Sequence, residues 1–140
     1  MIAECANQLF TLISAVPGLT TSTGMTVGGK SPDPGMTKIP LPAAWVLPVS
    51  GTSLDDMRNP LPPTIAMIEQ EFAVMLHVPY TSQSDLIANQ LPLLENVIKA
   101  VQGQEAPTGE RWVAKGYKLV VVNPDRLVFH ISFFLGSVFA

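Results

Sequence analysis

With 140 residues the chain is long enough for one hydrophobic core and too short for two. Only 14% of the residues are charged against 47% hydrophobic, a balance that calls for apolar surface covered by other chains, and a net charge of -3 with scattered Lys and Arg excludes a sequence-independent binder of phosphate backbones. A single cysteine, Cys5, excludes both an intrachain disulfide and a cysteine-rich metal site.

Ile2, Cys5, Ala6, Leu9, Phe10, Leu12, Ile13 and Val16 recur at three- and four-residue spacing, which predicts an amphipathic helix stopped by Pro17-Gly18. Glu4, Asn7 and Gln8 within it argue against a secretion signal. Residues 18–38 are rich in Thr, Ser, Gly and Pro and predict a long mobile loop or an arm that orders on a partner. Within it, Gly24-Met25-Thr26-Val27-Gly28-Gly29-Lys30-Ser31 spells a nucleotide-binding phosphate loop. Such a loop needs a buried strand before it and a helix after it. Polar turn residues precede this one, and Pro32 and Pro34 forbid a regular helix behind it, so the match reads as a linker.

Three prolines in the apolar run Ile39-Pro40-Leu41-Pro42-Ala43-Ala44-Trp45-Val46-Leu47-Pro48-Val49 place it at a sheet edge or in an extended, partly paired form. Residues 50–64 predict a second long loop, read either as a hairpin connection or as a projection that touches a neighbouring subunit. The clearest strand follows. Ile68, Phe72, Val74, Leu76 and Val78 fall on one face, and Glu69, Glu71, Ala73, Met75 and His77 on the other. Glu69 and Glu71 share that second face, where two carboxylates could divide acid and base roles, but no partner residue is tied to them and a solvated strand face is the expectation. Ser82 or Ser84 caps a predicted helix over residues 85–102, ended by Gly103. Pro92 costs about 3 kcal/mol inside a helix and predicts a kink or a break near Asn89 and Leu91.

Tyr117, Leu119 and Val121 then alternate with Lys118, Val120 and Val122, and Asn123-Pro124-Asp125-Arg126 forms a turn. The return strand sets Leu127, Phe129, Ile131, Phe133 and Leu135 against Val128, His130, Ser132 and Phe134, which makes a long antiparallel hairpin. Its apolar stretch from residue 127 onward is too short for a membrane helix. His77 and His130 both lie on second strand faces, yet two histidines fall below the usual ligand count of a metal site. Ser, His and Asp occur without the Gly-x-Ser-x-Gly elbow of a hydrolase. The expectation is an α/β (α+β) single domain, residues 1–140, with a mostly antiparallel sheet of about four strands flanked by two helices in the order α-β-β-α-β-β, and with no catalytic, metal or cofactor site.

The segments ANQLFTLISAV, PAAWVLPVSG, EQEFAVMLHVPY, DLIANQLPLLENVIKAVQGQEAP and KGYKLVVVNPDRLVFHISFFLG, in that succession, resemble the tail terminator (tail completion) proteins of long-tailed bacteriophages. The resemblance covers most of the chain outside residues 19–38 and rests on the order of elements rather than on an invariant motif. It implies a six-membered homo-oligomeric ring on the head-proximal end of the tail tube, assembled in the host cytoplasm and carried in the virion. Such a ring stops tube polymerisation and joins the tail to a neck or head-completion protein, with the tail sheath as a further neighbour, no membrane and no cofactor. DNA would pass through its lumen without specific binding, which suits the acidic balance. Asp55, Asp56, Met57 and Arg58, on the middle loop, are the candidate interface residues. Another phage neck or tail-tube ring protein is the alternative, followed by a small nucleotide-binding enzyme that uses the loop at residues 24–31.

Overall fold

In the computed structural model, which describes residues 2–19, 41–53 and 66–139, the apolar periodicities become helices and strands in the expected order. Helix α1 spans Ile2–Ser14 and buries Cys5, Ala6, Leu9 and Ile13. Pro17 and Gly18 follow, with Gly18 at φ 95, a left-handed conformation that suits the exit from a helix and that only glycine adopts without strain. Strands β1 (Ala43–Ser53), β2 (Ala66–Pro79), β3 (Val113–Val122) and β4 (Arg126–Phe139) form one antiparallel sheet of order β1-β2-β4-β3. The long β2 and β4 are central, and β1 and β3 are the edges. Pro48 is therefore carried where a lost ladder donor does least harm, beside a register shift between Pro48 and Ser50.

The helical stretch expected over residues 85–102 starts earlier and does not break. Ser82 accepts a bond from the Asp85 N–H at 3.1 Å and caps α2 (Gln83–Asp85). A π-helical turn, Leu86–Gln90, leads directly into α3 (Leu91–Val101). Pro92 explains the turn. Its ring would crowd the carbonyl one turn earlier, and widening the preceding turn removes that clash, so the Leu91 N–H bonds the Leu86 carbonyl instead of one residue nearer. Asp85 fastens the widened turn, because its carboxylate accepts from Asn89 Nδ2 at 2.7 Å and from Gln90 Nε2 at 3.1 Å. Those two bonds hold the Asp85 carboxyl below the usual carboxylate range.

Both helices cover the same face of the sheet. Leu9 and Ile13 of α1 and Leu94, Val97 and Val101 of α3 join Val46, Phe72, Val74, Ile131 and Phe133 in one cluster. Trp112, just before β3, completes it, edge-on to Phe72 at 5.3 Å between ring centres and fully buried. Its indole N–H donates to Gln8 Oε1 at 2.7 Å, and Gln8 Nε2 donates to the Glu105 carbonyl. The helix start and the loop before β3 are thus pinned together across 104 positions of sequence.

Two expectations need correction. Strand β1 continues to Ser53, so the first residues assigned to the loop at 50–64 are paired with β2 instead; Ser50 faces Glu71 and Thr52 faces Glu69. In β3, register shifts between Ala114 and Gly116 and between Leu119 and Val121 interrupt the simple alternation. Val121 pairs with Val128, and Val122 pairs with Leu127, so Val122 rather than Val121 shares a face with Tyr117 and Leu119.

Candidate functional site

The helix-free face of the sheet carries a polar cluster built from four strands. Glu71 sits at its centre because the odd-numbered residues of β2 face away from the helices. Ser50 on one neighbouring strand donates to Glu71 Oε2 at 3.2 Å, and Ser132 on the other donates to Oε1 at 3.1 Å. His130 Nδ1 lies 3.4 Å from the Ser132 hydroxyl. Lys115, Gly116, Tyr117 and Lys118 of β3 close a shallow pocket of about 250 Å³ over these groups.

This arrangement does not assemble nucleophilic catalysis. A serine nucleophile needs an imidazole between hydroxyl and carboxylate, so that the imidazole takes the proton and the carboxylate orients it. Here the hydroxyl stands between the two, and the carboxylate accepts its proton-bearing side. Glu71 is a strand-pinning acceptor for two serines. Glu69 and Glu71 do share a face, as the sequence indicates, but Glu71 is occupied by Ser50 and Ser132.

His77 lies on the same face and is 2% exposed. Trp45 meets it edge-on at 4.8 Å between ring centres, and Arg126 Nη1 lies 3.4 Å from its Nδ1. Burial, and then the positive charge of Arg126, push the His77 pKa down to about 4. The ring is neutral at pH 7 and is packed against a cation. His77 and His130 occupy neighbouring strands, with His130 opposite Met75 and His77 opposite Val128. Their nitrogens are directed to different partners, Arg126 for one and Ser132 for the other. Among the described residues no three His, Cys, Asp or Glu side chains could hold a metal ion together.

The two sheet edges form a second candidate surface. Along β3 the side chains are exposed on both faces, with Ala114 and Val121 partly covered. Val113, Tyr117, Leu119, Val120 and Val122 are large and apolar, and Tyr117 and Val122 remain 57% and 68% exposed. Tyr117 meets Phe129 edge-on, at 6.0 Å between ring centres. At the opposite edge the register shift in β1 opens an apolar pocket of about 250 Å³ lined by Ile2, Val49, Gly51, Ile68 and Phe72, with Glu71 also on its wall. Gly51 is required there, because a Cβ would come within 2.9 Å of Ile68 Cγ2. The sequence carries no sign of this exposure, because a continuous apolar run such as Val120-Val121-Val122 ordinarily marks a strand buried on both faces.

Asp55, Asp56, Met57 and Arg58 lie outside the described residues, as do the phosphate-loop match at residues 24–31 and all but the first two residues of the loop or arm expected at residues 18–38. No protein-family model matches the chain, and no curated protein matches it. No helix among the described residues is long and apolar enough to cross a membrane.

Proposed function

We propose that the chain is a structural ring subunit of the tail-terminator kind, which caps the head-proximal end of a phage tail tube and joins it to the neck. The exposed edge strand β3 carries this reading. Five large apolar side chains stand in solvent along one strand of a chain that is only 14% charged. Burying an exposed apolar strand against another chain removes that surface from water at roughly 25 cal/mol per Å². An antiparallel sheet whose helices stop short of one edge strand leaves that edge, β3, for a neighbour. The polar cluster is consistent with a structural role, because Glu71 accepts from serines on both neighbouring strands, Ser50 and Ser132.

A terminator adds one layer to a tube and stops, whereas a tube subunit stacks on itself without limit. The purified chain mixed with open-ended tail tubes and imaged by electron microscopy is expected to add a single ring of density at one end and to block further growth. Continued elongation by this chain would make it a tube protein. No added density at either end would overturn both assignments.

A further inference from the structure

Lys115 and Lys118 stand three residues apart, a spacing that sends two side chains to opposite faces of a regular strand. The first bulge of β3 cancels that. Ala114 pairs with Phe133 and Gly116 with Ser132, so Lys115 is the extra residue, left without a partner on β4. Its ammonium group lies 5.7 Å from the ring centre of Phe134, which pairs with Glu71 on the helix-free face. Lys118 stands opposite His130 on that same face. Gly116 carries the distortion at φ 129, where any side chain is strained, although a Cβ there would meet nothing within 4 Å. The glycine therefore serves the backbone and not the packing. Its effect is to bring two ammonium groups to the rim of one pocket, beside Glu71, His130 and Ser132.

We propose that this pocket is a binding site for one carboxylate group. Its volume of about 250 Å³ holds a carboxyl group and a short aliphatic stem. Both lysines are exposed, and among the described residues neither forms an ion pair. Glu71, the pocket's own carboxylate, is engaged by Ser50 on one oxygen and Ser132 on the other. Its charge still counts. Two ammonium groups against one carboxylate leave a single positive charge, which one further carboxylate neutralises; a phosphate dianion overshoots that balance and meets Glu71 as a stronger like charge. The ligand is accordingly a monoanion whose two oxygens each accept from one ammonium group. A free carboxylic acid and the Asp or Glu side chain of another protein both present such a group. Neither ring formation nor a tail tube is needed for this site.

Nuclear magnetic resonance of the isotope-labelled chain reads the site directly. Titration with acetate at constant ionic strength is expected to give saturable shifts of the Gly116, Tyr117, Lys118, His130 and Ser132 amides, half complete at roughly millimolar concentration, as suits exposed charge pairs. Lys115→Met with Lys118→Met should abolish them, whereas Lys99→Met, which changes an exposed lysine on α3, should leave them intact. Phosphate at the same ionic strength should act more weakly than acetate. A short peptide blocked at both ends and carrying one Glu separates the two sources: saturation at lower concentration than acetate identifies a protein side chain as the ligand, and saturation at higher concentration a small free acid. Gly116→Ala keeps both lysines but not their convergence, and should weaken acetate binding. No saturable shift, shifts that survive the loss of both lysines, or tighter binding of phosphate would overturn the carboxylate site, and a folded Gly116→Ala variant that binds acetate unchanged would overturn the part assigned to the bulge.

Discussion

Strands β1 and β3 are both sheet edges, yet they are built to opposite ends. The first four residues of β1, Ala43, Ala44, Trp45 and Val46, are buried whichever face they point to, and Trp45 is only 5% exposed. Along β3 the side chains of both faces meet solvent. An edge position therefore does not by itself decide exposure. What decides it is whether other elements reach the strand: α1 packs on β1 from the helical side, and His77 closes on Trp45 from the other. Beyond its anchor at Trp112, β3 extends past the helices as one leg of a hairpin.

If β1 is core and β3 is not, stability should respond very unequally to truncation. Trp45→Ala removes a buried indole and its edge-on contact with His77, and is expected to cost about 3–5 kcal/mol, the range for buried large aromatic residues. Equilibrium urea denaturation measures it. A loss under about 1 kcal/mol would mean that β1 is no better anchored than β3.

The buried side of the comparison also has a pH signature. His77 titrates near 6.5 in an unfolded chain and near 4 in the folded one. Between those values the unfolded chain holds a proton that the folded chain does not, so stability is complete above about pH 6.5 and declines as the pH falls toward 4. The full decline attributable to this residue is about 3 kcal/mol. Carboxylates begin to titrate below pH 5, so the cleanest window is pH 6.5 to 5, and a His77→Gln variant should lose the slope there. An unchanged slope in that variant would show that His77 is solvated in the folded chain.

The sequence made β2 legible because its apolar period of two runs from Ile68 to Val78 with one polar exception, the buried Gln70, and the observed pairing keeps the residues on the faces their positions implied. It misled at β3, because three consecutive valines carry no mark of which one is the extra residue of a bulge. At Pro92 the disruption was readable but its form was not, since whether a helix breaks or widens depends on partners such as the Asp85 carboxylate. The Glu71 cluster could not be read at all. Its serines lie 21 and 61 residues away, and only the register of two separate strand pairings brings them together.

The smallest effect is the sharpest discriminator. Leu119 faces the helical side of the sheet opposite Phe129, where an inward-pointing leucine would normally be core, yet it is 46% exposed. Truncating a covered leucine costs about 2–5 kcal/mol, but an exposed side chain away from special features changes stability by no more than about 0.5 kcal/mol. Leu119→Ala should therefore leave the urea midpoint of the isolated subunit almost unmoved, at protein concentrations low enough to keep it monomeric. If β3 is covered by another copy, as the proposed ring subunit requires, the same change should lower the midpoint at concentrations where the chain assembles, because the methyl groups it removes would then be buried. A concentration-dependent penalty places Leu119 in an interface; a penalty of several kcal/mol at every concentration would instead return β3 to the core and erase its contrast with β1.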